Sequence, residues 1–389
     1  MKIFVLLSRV PFPIEKGDKL RAFHQIRCLA QNNEIILCSL NDTPLHPEAM
    51  KVLSSFCSEI HIIPISKTGM VWNVIKTFFN GKPLQVGYFY RNSAQKKIYT
   101  LIEKCNPDHI YCQLIRVSEY VKDSKIPKTL DYQDIFSTGA KRQSETAPFW
   151  KRPFLLMEFR RLLKYEHDIF DKFDHKTIIS QPDRDLLLHP SREDVVIIPN
   201  GVEHEYFSPL KKQKTHDLVF TGNMGYPPNI DAARFIAKEI FPLVLKQFPA
   251  ATLLIAGATP HAKVMALQAS NISVTGWLPD IRDSYASSRI FIAPMRIGTG
   301  LQNKLLEAMA MELPCISSAL ANQALGAREN EEILIGNTAE EYANHIISLL
   351  QNESLAFALA QKGRNFVRKT FSWENSALLL EKLFQSEIR

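Results

Sequence analysis

A short glycine loop near residue 300 combines the residue types that bind phosphate groups. Gly298, Thr299 and Gly300 follow a buried apolar run and lead directly into a predicted helix. The first-turn amides of a helix have no internal partners, and together with the helix dipole they favour an anion such as a diphosphate. Lys304 lies in the predicted first turn and could reach the same phosphates, while Glu307, one turn further on the same face, could accept hydrogen bonds from ribose hydroxyls. The spacing therefore predicts a nucleotide diphosphate site. A tight turn beside a solvated Lys–Glu pair is the alternative.

The elements around this loop alternate between strands and helices, which predicts an α/β fold. Helices are predicted at 19–31, 151–173, 301–311 and 371–388. Continuous apolar runs predict buried parallel strands, and these lie at 2–8, 34–40, 60–64, 109–112, 128–131, 176–180, 195–199, 217–221, 252–256, 272–275, 290–294 and 314–317. The pattern restarts in the second half, so we expect two Rossmann-like doubly wound domains facing across a cleft, with ligands at the carboxyl ends of the strands.

A polar, lysine-rich stretch at 211–216 and the turn before it separate the two series. We predict a first domain of residues 1–205, completed by a C-terminal helix over 371–389. The second domain is predicted to span residues 206–370.

Composition argues against several classes of protein. No apolar run is long enough to cross a membrane, and Arg9 and Pro11 interrupt the N-terminal run, so we expect a cytoplasmic protein without a signal peptide. No C-x-x-C pair and no metal-ligand spacing occurs, so we expect buried reduced thiols, no metal and no cofactor. Residues 1–200 hold 29 Lys and Arg against 22 Asp and Glu, whereas residues 201–389 hold 18 of each. This asymmetry indicates an anionic partner for the first half. A nucleic acid is not expected, because no binding motif accompanies the charge.

The stretch 291–310 resembles the nucleotide-binding signature of family 4-like glycosyltransferases of the GT-B fold, which reads roughly G-x-G-x-x-x-K-x-x-E-A-M-A. Segments similar to that family extend along the chain, at 200–209, 222–229, 275–280 and 371–374. The resemblance implies an enzyme that moves a sugar from a nucleotide-diphosphate-sugar donor to a glycan or lipid-linked acceptor, in polysaccharide or glycoconjugate synthesis. It implies donor-binding roles for Gly17, Gly222, Asn223, Trp277, Leu278, Arg296, Gly298, Thr299, Gly300, Leu301, Lys304 and Glu307. A narrower similarity, at 16–21 and 302–304, is to the sugar transferases associated with the exosortase (PEP-CTERM) system.

The chain departs from the family pattern at informative positions. The family often has two glutamates eight positions apart; Glu307 matches the second, but Thr299 stands at the first, so the identity of the sugar does not carry over. The usual Arg and Lys after the first strand of the second domain are also missing. Asn223, Arg296 and Lys304 are the alternatives, with Arg296 either a phosphate clamp or a surface arginine.

Candidate catalytic residues in the first domain are Asp18 and Gln113. Gly17 and Asp18 follow the first strand, where the family's glycine loop faces the donor phosphates; Asp18 is either a helix N-cap or an active-site group. Gln113 is the polar residue closest to the place where many relatives carry a histidine, and His24 is interpreted as structural. The resemblance also implies that retaining members need no general base, because the leaving phosphate can assist the incoming hydroxyl. The resemblance therefore implies a retaining, metal-independent transfer.

Two other functions remain open at this stage. A nucleotide-sugar epimerase of similar architecture would need paired carboxylates and histidines near the cleft. A non-catalytic nucleotide-sugar-binding protein is suggested by the loss of the first glutamate.

Residues 67–97 combine basic and aromatic side chains without an acidic residue. They include Lys67, Trp72, Lys76, Phe78, Phe79, Lys82, Tyr88, Phe89, Tyr90, Arg91, Lys96 and Lys97. We predict that this surface, with a short amphipathic helix over 71–79, docks on an anionic membrane face. The alternative is that the aromatic rings pack in the core and the lysines are merely solvated.

Overall fold

The computed structural model describes residues 1–14, 16–65, 73, 77, 80–298 and 300–386. The chain forms two compact units, Met1–Pro199 with Trp373–Arg389, and Asn200–Ser372.

Unit 1 is built on a seven-stranded parallel sheet of order β3-β2-β1-β4-β5-β6-β7. Its strands are β1 Lys2–Leu7, β2 Glu34–Asn41, β3 Glu59–Pro64, β4 His109–Gln113, β5 Lys128–Asp131, β6 His175–Ile178 and β7 Val196–Ile197. Its first helices are α1 Gly17–Leu29, α2 Ala49–Leu53, α3 Leu84–Phe89, α4 Asn92–Cys105, α5 Phe136–Thr146, α6 Arg152–Phe170 and α7 Gln181–Asp185. β1 is central, and its residues from Ile3 to Leu7 are all buried, as expected for a strand covered on both faces. The strand order reverses between β1 and β4, which marks the topological switch point of this sheet.

Unit 2 repeats the plan with six parallel strands of order β10-β9-β8-β11-β12-β13. They are β8 His216–Thr221, β9 Leu253–Ala256, β10 Ile272–Val274, β11 Ser288–Ala293, β12 Cys315–Ser317 and β13 Leu334–Ile335. Its helices are α8 Pro227–Phe235, which runs through a π-helical segment Ile236–Ile240 into α9 Phe241–Leu245, then α10 Ala262–Met265, α11 Arg282–Ala286, α12 Asn303–Ala310, α13 Ala319–Leu325, α14 Ala339–Gln351 and α15 Glu353–Thr370. The switch point lies between β8 and β11, so the loops after these two strands form the expected ligand site of this unit.

The last helix, α16 (Trp373–Gln385), belongs to unit 1, where it packs against α1. The residues that precede it belong to unit 2. Val202 is buried in the unit 2 core, and its N–H donates to the carbonyl of Phe371 at 3.1 Å. Because this pairing joins both connecting segments to unit 2, the chain passes from one unit to the other at 199/200 and again at 372/373. The sequence predicted these boundaries at 205/206 and 370/371.

The predicted fold class is confirmed: two α/β units each carry a parallel doubly wound sheet. All six cysteines are buried, and none of them forms a disulfide. Among the described helices, none has the length and apolar composition needed to cross a bilayer.

Candidate functional site

The loop between β11 and α12 leaves the first turn of α12 open. Gln302 occupies the N-cap position but makes no side-chain cap; its amide donates instead to the carbonyl of Gly300 at 2.8 Å. Gly298 has a φ of 98°, a conformation that favours glycine. The helix begins at Asn303, two residues later than predicted, so the amides of Gly298, Gly300 and Leu301 belong to the loop and not to the helix. Thr299, a predicted donor-binding residue, lies outside the described residues.

Lys304, the second residue of α12, brings a cation to the loop after β8. Its ammonium donates to Asn229 Oδ1 and lies 4.8 Å from the centre of the Phe220 ring. Burial lowers the pKa of Lys304 to about 7, although the nearby Glu307 carboxylate opposes this effect. In the part of the chain that the structure describes, no carboxylate oxygen lies within the 4.0 Å of an ion pair with it. A bound anion would therefore restore a favourable charged state for Lys304.

Glu307 lies one turn further along α12 and is held by a tyrosine that the sequence did not single out. The hydroxyl of Tyr285 donates to Glu307 Oε2 at 2.7 Å, and it also lies 2.8 Å from Thr221 Oγ1 at the end of β8. Tyr285 is fully buried, and burial raises the pKa of Glu307. The Tyr285 bond fixes one carboxylate oxygen, which leaves the other for a ligand hydroxyl.

Close backbone packing brings the loop after β8 to the same place. Gly222 has a φ of 147°, and a Cβ atom built on it would lie 2.7 Å from Asn229 Nδ2 and 3.3 Å from Lys304 Nζ. A Cβ on Gly257 would lie 1.8 Å from the carbonyl oxygen of Gly222. The two helices that follow the predicted loops, α8 and α12, thus meet at Asn229 and Lys304.

Asn223 shapes this loop from within. Its Oδ1 accepts hydrogen bonds from the Gly225 N–H at 2.9 Å and from the Thr259 hydroxyl at 2.6 Å. Its carbonyl accepts from the side-chain amide of Asn229 at 2.9 Å. A direct contact between Asn223 and the donor stays a prediction.

Arg296 forms an ion pair with a residue of the neighbouring helix α8. Its guanidinium donates to both carboxylate oxygens of Asp231, at 3.0 and 2.8 Å, and lies 4.3 Å from the centre of the Phe235 ring. To clamp a phosphate, Arg296 would have to exchange this bidentate pair for a new one. The clamp stays a prediction, and the pairing supplies a structural role that the sequence did not reveal.

The two predicted residues after β10 differ in their surroundings. Trp277 is 72% exposed, whereas Leu278 is partly buried and packs against the unit 2 core. Beside them, Arg282 pairs with Asp280 at 2.6 Å and stacks 3.7 Å from the centre of the Tyr206 ring. The exposed indole offers a flat apolar face that a nucleobase could cover.

In unit 1, the predicted residues lie at its own switch point. Gly17 is the first residue of α1 and Lys16 is its N-cap, so the N-cap interpretation of Asp18 is wrong. The Asp18 carboxylate lies instead between two arginines, 3.3 Å from Arg9 Nη1 and 3.8 Å from Arg116 Nη1. A cavity of about 380 Å³ opens beside the loop after β1 and is lined by residues that include Arg9, Val10, Phe12, Lys16, Lys19, Asp42 and His46.

Gln113 ends β4 and belongs to a buried polar network that the sequence did not predict. Its amide donates to Gln25 Oε1 at 3.3 Å, and the Tyr111 hydroxyl donates to the same oxygen at 2.8 Å. At the centre, Asp131 accepts from Arg21 Nε at 2.7 Å, and the Tyr111 hydroxyl oxygen lies 3.1 Å from the same carboxylate. These residues lie on α1, β4 and β5, so the network fixes the elements that carry Gln113 and Asp18.

His24 is buried and stacks on Trp373 of α16, with ring centres 4.9 Å apart. This contact ties α1 to the last helix and supports the structural interpretation of His24.

Three aromatic rings of the predicted membrane surface are covered in the part that the structure describes. Phe89 is buried in the unit 1 core, with Tyr88 and Tyr90 partly buried against it. The Lys82 ammonium pairs with Glu119 at 2.5 Å, and the Arg91 guanidinium donates to backbone carbonyls. The rings therefore pack on the protein, whereas the side chains of Lys96 and Lys97 are exposed. Lys67, Trp72, Lys76, Phe78, Phe79 and most of the proposed helix over 71–79 lie outside the described residues.

One cluster of potential metal ligands occurs in unit 1 among the described residues. A ring nitrogen of His61 lies 2.9 Å from Glu59, and the Cys105 thiol donates to Glu59 at 3.9 Å. Glu59 begins β3, so the cluster lies at the end of the sheet opposite Asp18 and Gln113. Linear spacing did not reveal it, because Cys105 comes from a distant helix. Burial and the Glu59 carboxylate raise the pKa of the Cys105 thiol, and both His61 and Cys105 make their contact with Glu59.

Comparison with known proteins bears on the unit 2 site. Residues 215–352 match the family model of the glycosyl transferases group 1. The chain is 22% identical, over 95% of its length and 96% of the other chain, to an uncharacterized 44.6 kDa protein in the cps region of Klebsiella pneumoniae.

Two solved structures are similar over the whole chain. Sucrose-phosphate synthase from Thermosynechococcus elongatus has a TM-score of 0.69 at 15% identity, covering 99% of this chain and 98% of that one. HepE of Anabaena in complex with UDP and glucose has a TM-score of 0.69 at 12% identity, covering 99% of each chain. These likenesses show the GT-B fold, and the family match over residues 215–352 adds a similarity of unit 2 to the glycosyl transferases group 1.

Proposed function

We propose that this protein transfers a sugar from a nucleotide-diphosphate-sugar donor, which unit 2 binds at the switch point of its sheet. The observation that carries the proposal is the partly buried ammonium of Lys304, which lies beside Gly222 and Asn229 and has no carboxylate partner among the described residues. A diphosphate is the ligand that such a site favours, because amides and a cation converge on it. The HepE complex with UDP makes uridine nucleotides the first candidates to test.

The same groups supply the chemistry of the leaving group. As the bond between sugar and diphosphate breaks, negative charge develops on the diphosphate. The loop amides of Gly298–Leu301 and the ammonium of Lys304 would stabilise that charge. The Glu307 oxygen that Tyr285 leaves available would hold the ribose and so fix the position of the phosphates.

The finer parts of the proposal concern the acceptor and the stereochemistry. We propose a glycan or lipid-linked acceptor bound by unit 1, where Asp18 and Gln113 adjoin a small cavity. Transfer would be retaining and metal-independent and would serve polysaccharide or glycoconjugate synthesis, with the enzyme acting at a membrane face. The resemblance to sugar transferases of the exosortase system is the narrowest version of this proposal.

A thermal-shift screen with UDP, GDP, ADP and their sugars tests the donor site. A nucleotide at about 100-fold its Kd stabilises the folded state by roughly 2.7 kcal/mol, which is a measurable rise in Tm. If no nucleotide raises Tm, the site assignment is wrong. Donor hydrolysis by the purified protein then separates an enzyme from a non-catalytic binding protein, and recovery of an epimerised donor would identify the epimerase alternative.

A further inference from the structure

The connection between α5 and α6 presents large aromatic side chains to solvent. The two helices pack against each other, so they form a hairpin. We call residues 148–154 the hairpin tip. At this tip Phe149 is 88% exposed, Trp150 64% and Phe154 49%. Scattered apolar residues are normal on a surface, but three large aromatics in one short segment form a contiguous apolar patch.

Basic side chains occur within the same tip. Lys151 and Arg152 are both exposed, and the Lys151 ammonium lies 4.7 Å from the centre of the Trp150 ring. No acidic residue occurs between Glu145 and Glu158. The hairpin tip is therefore both aromatic and cationic, in the half of the chain that holds the whole positive excess.

Hydrogen bonds hold the first half of α6 against the rest of unit 1, so the position of the hairpin tip is fixed. One turn beyond Phe154, Glu158 accepts hydrogen bonds from the backbone N–H groups of Leu84 and Gln85, at 3.0 and 3.3 Å. Arg161 donates to the Lys82 carbonyl at 3.4 Å. These bonds hold α6 against α3, while the tip itself has no such cover.

We propose that the hairpin tip docks unit 1 on an anionic lipid bilayer, with the aromatic rings at headgroup depth and Lys151 and Arg152 on lipid phosphates. Trp and Phe beside basic residues are the composition that enters membrane interfaces, whereas lysine is depleted from protein interfaces. The proposal rests on the proposed function only for its purpose, access to a lipid-linked acceptor. Docking itself is measured without donor or acceptor, so its failure leaves the nucleotide site untouched.

The experiment is co-sedimentation of the full chain with vesicles. Phosphatidylcholine vesicles are compared with vesicles that also contain phosphatidylglycerol, at low and high salt. We expect binding to the anionic vesicles, weakening with salt. Because each basic residue contributes roughly fivefold at an anionic surface, Lys151→Glu with Arg152→Glu should reduce binding at least about tenfold. Phe149→Ser, Trp150→Ser and Phe154→Ser together should abolish it.

Two matched controls separate this tip from general surface effects. Leu355→Ser with Phe357→Ser removes exposed apolar side chains from α15 of unit 2, and Lys96→Glu with Lys97→Glu reverses exposed charges on α4 of unit 1. Both should sediment like the unchanged protein, and every variant should keep its Tm and its nucleotide binding.

Several results would overturn the proposal. They are no sedimentation with either vesicle, equal sedimentation with both, unaltered binding by the tip variants, or loss of binding in the α4 control. If sedimentation velocity finds a dimer that the tip variants dissociate, the occupant of the tip is a second copy and not a membrane.

Discussion

At the scale of single residues, Lys304 determines how the donor site responds to pH. With a pKa of about 7, its ammonium is largely charged at pH 6 and largely neutral at pH 9. An anion binds the charged form, so nucleotide affinity should fall above pH 7, by up to about tenfold per pH unit. The folded pKa lies below the unfolded value of about 10.4, so the free energy of unfolding should rise with pH between those values.

Titration calorimetry between pH 7 and pH 9 measures this effect, and proton uptake appears as a dependence of the heat on the buffer. Lys304→Met is the matched control, because it keeps the apolar stem and removes the charge. It should bind nucleotide more weakly at pH 7, by roughly 1.5–3 kcal/mol, and show a flat profile above it. A wild-type profile as flat as that of the variant would show that Lys304 does not contact the anion.

Tyr285 is expected to act through Glu307. Tyr285→Phe removes the hydroxyl that donates to the carboxylate and leaves a buried acceptor unsatisfied, which should cost about 1–3 kcal/mol of unfolding free energy. Nucleoside affinity should fall as well, since the carboxylate loses its fixed orientation. Denaturant unfolding and nucleotide titration measure the two effects.

A double-mutant cycle separates this coupling from a general loss of packing. In a Glu307→Gln background, adding Tyr285→Phe should cost measurably less than it does alone, because the charged acceptor is already gone. Additive effects on both readouts would mean that Tyr285 merely packs in the core.

At the scale of elements, Gly222 and Gly257, which directly follow β8 and β9, determine how closely the loops after these strands approach each other. Gly257→Ala would place a methyl group 1.8 Å from the Gly222 carbonyl at a φ of 143°, so we expect a loss of at least about 3 kcal/mol of unfolding free energy and no nucleotide binding. Gly276→Ala is the matched control, because nothing lies within 4 Å of its Cβ position. Thermal melts compare the two, and equal Tm values would refute the close-packing argument.

The strands could be predicted from the sequence, because buried parallel strands are continuous apolar runs. The prediction at 128–131 coincides with β5, and the donor helix was misplaced by two residues, since Leu301 and Gln302 look helical but lie in the loop. The pairing of side chains could not be predicted from the sequence. Tyr285 meets Glu307, and Asp231 meets Arg296, through packing of separate elements, which leaves no periodic trace in the chain.

At the scale of the whole molecule, the repeated doubly wound plan explains why the position of the donor site was easier to predict than the membrane surface. Each unit has one switch point, and the residues after its two central strands must lie there whatever their side chains contact. Gly222 and Gly298 follow β8 and β11, just as Asp18 and Gln113 follow or end β1 and β4. The predicted membrane surface had no such constraint, because exposure depends on what covers a segment, and α6 covers residues near Lys82.

The last prediction concerns the metal requirement of the complete enzyme. In unit 2, Lys304 brings a cation to the loop after β8, while the Glu307 carboxylate is bonded to Tyr285 and the Asp231 carboxylate is paired with Arg296. The charge that a divalent ion would supply is thus expected from Lys304 and the loop, so turnover should persist in excess EDTA and should not rise with Mg²⁺ or Mn²⁺.

The cluster of Glu59, His61 and Cys105 provides the control. Cys105→Ser removes a ligand at the far end of the unit 1 sheet, so it should leave turnover and its EDTA response unchanged. Turnover that EDTA abolishes and Mg²⁺ restores would instead require a metal on the donor diphosphate, and Lys304 would then have to be reassigned to holding Asn229 and the loop after β8.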